Sequence, residues 1–144
     1  MTNSTEQAAS KLRTGFAKGA LEGIRSLGSL AADKIQTHHV PPLQTDGIWD
    51  GKTWAKAMED LYNGTILEAV KGFRQTVEVR VTRDDEIQMR THFTGTLKDG
   101  TALDHIVDGL MTMKDGRIVR GITIYNAERD SWAGLLKAMS PPAA

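Results

Sequence analysis

The 144-residue sequence has no cysteine, which excludes disulfides, iron–sulfur clusters and thiol catalysis together and makes a reducing cytoplasm the default compartment. It also lacks net charge, since Lys plus Arg and Asp plus Glu number 18 each. Nucleic-acid binding draws on an excess of basic side chains, so no nucleic acid is expected as a partner. The same neutrality leaves little repulsion between copies of the chain. No run of about 18 apolar residues is present, so no membrane span is expected. Residues 1–10 lack the charged-then-apolar layout of a secretion signal. There is no Gly-x-Ser-x-Gly elbow, and the glycines between 15 and 28 follow no strand that would make them a phosphate loop. Four histidines, at 38, 39, 92 and 105, show no tight ligand spacing, so neither a metal nor another cofactor is expected.

What remains is an ordinary globular balance, 40% hydrophobic and 25% charged, which suits one domain over 1–144 with an ordered core over about 10–139. The first third reads helical. Ser4 and Gln7 have capping-box spacing, and Ala8, Leu12, Phe16 and Ala20 recur on one face. Gly15, Gly19, Gly23 and Gly28 predict two shorter helices rather than one rod. A strand is expected over 34–40, stopped by Pro41-Pro42, followed by a polar loop from Leu43 to Gly51. Trp54, Met58, Leu61 and Tyr62 then mark an amphipathic helix, with Asn63-Gly64 as its stop and a short helical turn over 65–73.

From there the period falls to two. Val77, Val79 and Val81 alternate with polar residues, as do Ile87, Met89, Thr91 and Phe93. Asp99-Gly100 and Asp115-Gly116 are hairpin turns that bracket a strand over 103–113, and 118–126 is the last strand. Trp132, Leu135, Leu136 and Met139 predict a closing helix. Helices followed by a four-strand antiparallel meander define an α+β fold with the helices on one sheet face. Leu103, Val107, Met111 and Met113 take one parity of the penultimate strand, and Ile106 and Leu110 the other. Apolar residues on both faces imply a cover for the second, and a homodimer through the sheet is the simplest one.

This layout resembles the nuclear-transport-factor-2-like superfamily, within it the SnoaL-like and ketosteroid-isomerase-like groups. The most specific stretch runs from Gly100 through Asp115-Gly116-Arg117-Ile118 to Tyr125, and Asp50-Gly51-Lys52 also fits. The resemblance implies a cone-shaped, curved antiparallel sheet with N-terminal helices packed on its concave face, around a pocket for a small hydrophobic molecule (steroid, terpenoid or polyketide-like). In ketosteroid isomerases a carboxylate base works beside an oxyanion hole of a tyrosine and a protonated aspartate. Aligned with one residue of slack, Asp108 falls on the oxyanion aspartate and Tyr125 on a pocket aromatic. The base position holds His38-His39, and the helix-1 tyrosine position holds Phe16. The epoxide-hydrolase variant needs an Arg-x-Asp pair and a second aspartate on the last strand. Here Arg90-Thr91-His92 and Gly121-Ile122-Thr123 stand instead, which excludes it.

The candidate catalytic residues are therefore His38, His39, Asp108 and Tyr125. Consecutive histidines on a strand point to opposite faces; one should face inward as a general acid–base, with His38 favoured. Phe16, Trp49, Met58, Tyr62 and Ile106 are the candidate ligand-binding residues. The expectation is cofactor-free proton transfer, an isomerisation or cyclisation, on a hydrophobic carbonyl compound. Its rivals are a non-catalytic dimeric ligand-binding or accessory domain and a protein-interaction module.

Overall fold

The computed structural model describes residues 3–125. Helices α1 (Ser4–Lys18) and α2 (Ala20–Ser29) open the chain. Asn3, one residue before the expected cap, closes the start of α1 by accepting from the Glu6 N–H at 2.8 Å, as a short polar side chain there should. Ala8, Leu12 and Phe16 bury the predicted stripe. The glycines do more than divide the helices. A Cβ on Gly23 would lie 2.0 Å from Phe16 Cδ1, and one on Gly15 would lie 2.2 Å from Ser26 Oγ. The absence of these side chains lets α1 and α2 touch.

Strand β1 (Ala31–Val40) is followed by a cis Val40–Pro41 bond, and the chain returns as β2 (Gly47–Asp50). The sequence predicts a loop there, because β2 carries too few apolar residues to alternate visibly; Ile48 is exposed. Asp50 caps helix α3 (Gly51–Leu61), accepting from the Thr53 N–H at 3.0 Å. Asn63-Gly64 does not end the helical path. It continues through a π-helical turn (Tyr62–Ile66) and the short α4 (Leu67–Ala69), because Tyr62 and Ile66 are both buried and hold the turn against the core.

The meander follows as β3 (Val70–Arg83), β4 (Glu86–Leu97), β5 (Ala102–Lys114) and β6 (Arg117–Ile124). Both Asp115 and Gly116 have positive φ, 52° and 77°, as a tight hairpin requires. At Gly72, φ is 65° inside the irregularity between Lys71 and Arg74, where a bulge bends the strand. The Arg13 guanidinium ties α1 to β3, donating to the Val79 carbonyl from Nη2 at 2.8 Å.

The six strands run in the order β2-β1-β6-β5-β4-β3. Their meander is antiparallel as expected, but β1 lies parallel to β6 from Gln36↔Arg120 to Val40↔Ile124, so the whole sheet is mixed. It is curved and open, with the α+β layout that the sequence implies. The helices and the inner sheet face share one core that includes Leu12, Phe16, Ile35, Ile87, Met111 and Ile118. On β5 the inner set is Leu103, His105, Val107, Met111 and Met113, all buried, while Asp104 and Ile106 are exposed on the outer face. The closing helix expected around Trp132, Leu135, Leu136 and Met139 lies outside the described residues.

Candidate functional site

Between the helices and the inner sheet face lies a cavity of about 410 Å³, of the size that takes a small organic molecule. Phe16 reaches it from α1, Trp49 from β2, Met58 from α3 and Tyr62 from the π-turn. Four of the five expected ligand-binding residues therefore meet in one place. Gly109 and Gly121, on neighbouring strands, also border it.

His39 stands at this cavity with a carboxylate behind it. Its Nδ1 donates to Asp46 Oδ1 at 2.5 Å. Asp46 Oδ2 accepts the backbone N–H groups of His39 at 2.8 Å and Leu43 at 3.1 Å. The local fold explains the meeting. The β1–β2 register pairs Thr37 with Gly47, so the loop between them returns Asp46 to His39. Partial burial alone would raise the Asp46 pKa. The bonds from the His39 ring and from the Leu43 and His39 backbone outweigh it and hold the carboxyl below its ordinary range. With Nδ1 engaged, Nε2 is the basic nitrogen of the ring.

Tyr125 packs edge-on to His39, the ring centroids 6.3 Å apart at 62°. Its hydroxyl donates to the Pro41 carbonyl at 2.8 Å, and burial, with the Asp46 charge, pushes its pKa up. Tyr125 is thus a buried wall beside the dyad, its proton already placed on the chain. The Tyr62 hydroxyl is pushed up by burial, against a smaller opposing effect of the neighbouring Gln75 carboxamide.

His38 takes the opposite parity, with the exposed Gln36 and Val40, whereas His39 shares the side of the buried Ile35 and Thr37. His38 borders the cavity wall, and its Nε2 is buried with no hydrogen-bond partner. His39 is the histidine that the structure joins to a carboxylate. Two further expectations are corrected. Asp108 does not share the cavity with a histidine: it lies on the outer face, bound to Arg90 Nε at 2.9 Å. Ile106 has the same parity and is 50% exposed, so it does not line this cavity. Both fall on the even positions of β5, and the odd ones face inward. His92, also outward, bonds Asp104 at 2.6 Å, while His105 is 1% exposed on the inner side. Among the described residues no three His, Asp or Glu side chains form a metal-binding group, and no helix is long and apolar enough to cross a membrane.

Two site residues escape the sequence reasoning. Asp46 sits in the expected loop, and its one signal is a histidine seven positions earlier across a Pro-Pro reversal. Gln75 continues the inward parity of Val77 and Val79 on β3, and a lone glutamine among inward valines is its signal.

No protein-family model matches the sequence, and no curated protein is similar to it. The likeness is in the fold. Bal32a, from a soil-derived mobile gene cassette, superposes with a TM-score of 0.66 at 19% identity, over 96% of this chain and 100% of its own. An NTF2-like protein of Burkholderia thailandensis gives a TM-score of 0.66 at 13% identity, over 98% and 100%. An LEH-like epoxide hydrolase of Mycobacterium tuberculosis gives 0.60 at 14%, over 94% and 92%. The chain has the nuclear-transport-factor-2-like fold, which hosts catalysts and binders alike.

Proposed function

We propose that the protein is a small, cofactor-free catalyst of proton transfer on a hydrophobic carbonyl compound of steroid, terpenoid or polyketide type, with His39 as the general base. The observation that carries this is the His39–Asp46 pair standing at an apolar cavity. His39 Nε2 takes the proton from a carbon beside the carbonyl, and the C–H electron pair moves into the enolate. The imidazolium, steadied by Asp46, returns that proton to another carbon, so the reaction is an isomerisation or closes a ring without net redox change. Exclusion of water by Phe16, Trp49 and Met58 strengthens every charge interaction at the dyad. Neither Asp108 nor Tyr125 supplies the second donor to the oxygen in this scheme. Asp108 faces outward and the Tyr125 hydroxyl is spent on Pro41.

That same observation favours one rival, a ligand-binding domain without turnover. The cysteine-free composition supports a cytoplasmic address. Ile106 and Ile124, exposed on the outer face of adjacent strands, support a homodimer through the sheet. The test is conjugation of a β,γ-unsaturated steroid ketone followed by absorbance. Wild type should turn over, His39→Ala should lose about a hundred- to ten-thousand-fold, and Asp46→Asn should fall between them. A His39→Ala rate equal to wild type sinks the proposal. Binding of the ketone without turnover transfers it to the rival.

A further inference from the structure

Gln75 is only 9% exposed, and its Oε1 is buried without any hydrogen-bond partner. Leaving a buried carboxamide oxygen unpaired is destabilising, and a leucine or methionine would fill the same space without that cost. Gln75 borders the cavity beside Tyr62. It stands on β3, at the opposite side of the sheet from β1 and its dyad.

The surface between these two ends points the same way. Gly109 lies on β5 and Gly121 on β6, where glycine weakens a strand. Neither has the positive φ that would require it. Packing does not demand them either: a Cβ on Gly121 would meet nothing within 4 Å, and one on Gly109 only the Ile122 and Met89 carbonyl oxygens at 3.7 and 3.8 Å. What the two glycines leave is open floor, bordered by Met89 and Met111.

We propose that Gln75 is the ligand-orienting residue of this cavity, its Oε1 accepting from a hydroxyl at one end of an elongated, flat, otherwise apolar ligand that lies across Gly109 and Gly121 with its other end at His39. The inference rests on the cavity being the ligand site of the proposed function and names the class of molecule it selects: hydroxylated at the end remote from the reacting carbon. Gln75 is a specificity residue and takes no part in the proton transfer. A site built around an acceptor rejects the analogue that lacks the donor, because the acceptor then stays buried and unpaired.

The test is equilibrium binding, read by calorimetry on the full chain, of estrone, its 3-methyl ether and 3-deoxyestrone. Wild type should prefer estrone to both analogues by about tenfold or more. Gln75→Met and Gln75→Leu should bind all three alike, with an unchanged or higher Tm because a buried unpaired oxygen has gone. His39→Ala should keep the preference, since binding is read without turnover. Equal binding of the three by wild type, a preference that survives in both Gln75 variants, one abolished by His39→Ala instead, or no binding of any probe each overturns the inference. An intact preference without ketone conjugation would remove the proton-transfer proposal and leave this one standing.

Discussion

Arg90 and Asp108 face each other directly across β4 and β5, Nε to Oδ1 at 2.9 Å and Nη2 to Oδ2 at 3.3 Å, on the face turned away from the helices. The pair is solvent-exposed, and such pairs contribute little to stability. Asp108→Asn should therefore leave both steroid conjugation and Tm close to wild type. Kinetics and a thermal melt check this together. A collapse of turnover in Asp108→Asn would mean that the carboxylate reaches the substrate after all.

Gly121 offers a way to close the cavity without touching the dyad. Nothing lies within 4 Å of a Cβ built there, so Gly121→Val should fold with an equal or higher Tm, since it also gains strand propensity. Ligand affinity should drop by about tenfold or more as the valine fills the floor. Retained affinity in calorimetry would place the ligand elsewhere.

The dyad should also show in the acid limb of stability. The Asp46 pKa is lowered in the folded chain, so its contribution is complete above the unfolded carboxylate pKa of about 4 and is lost as pH falls through the folded value. Asp46→Asn should be less stable than wild type at neutral pH, and the gap should narrow as pH drops below about 4. Urea melts across pH 2.5–7 would read it. A constant gap would contradict the assignment.

The outer face makes its own prediction. Ile106→Glu places a charge amid the exposed Ile106–Ile124 surface. It should convert a dimer into a monomer in sedimentation velocity while each copy keeps its fold by circular dichroism. Wild type sedimenting as a monomer at high concentration would remove the dimer from the proposal.

The sequence discloses the architecture better than the site, for a physical reason. Valines alternating at 77, 79 and 81 and the two Asp-Gly turns leave one arrangement for β3–β6. The stripe at 54, 58, 61 and 62 does the same for α3. Strand β2 is silent because four residues cannot display a period. Asp108 shows the harder failure. On β5 both parities carry apolar side chains, so hydrophobicity does not say which side is inward. An alignment with one residue of slack then decides it, and a one-residue slip exchanges the faces of a strand. His38 and His39 carry the same ambiguity on β1. What sets His39 apart is its bond to Asp46, a residue whose position depends on how the hairpin closes.

That closure has a consequence for how the molecule could change over time. His39 and Asp46 belong to a single hairpin and are separated by six residues, whereas Phe16, Met58, Tyr62, Gln75, Gly109 and Gly121 come from six other elements. The His39–Asp46 pair is inherited as one local piece, and the chamber around it is assembled from distant ones. Substitutions that reshape the chamber can accumulate without disturbing the pair, so the one proposed reaction centre could be refitted to a succession of molecules.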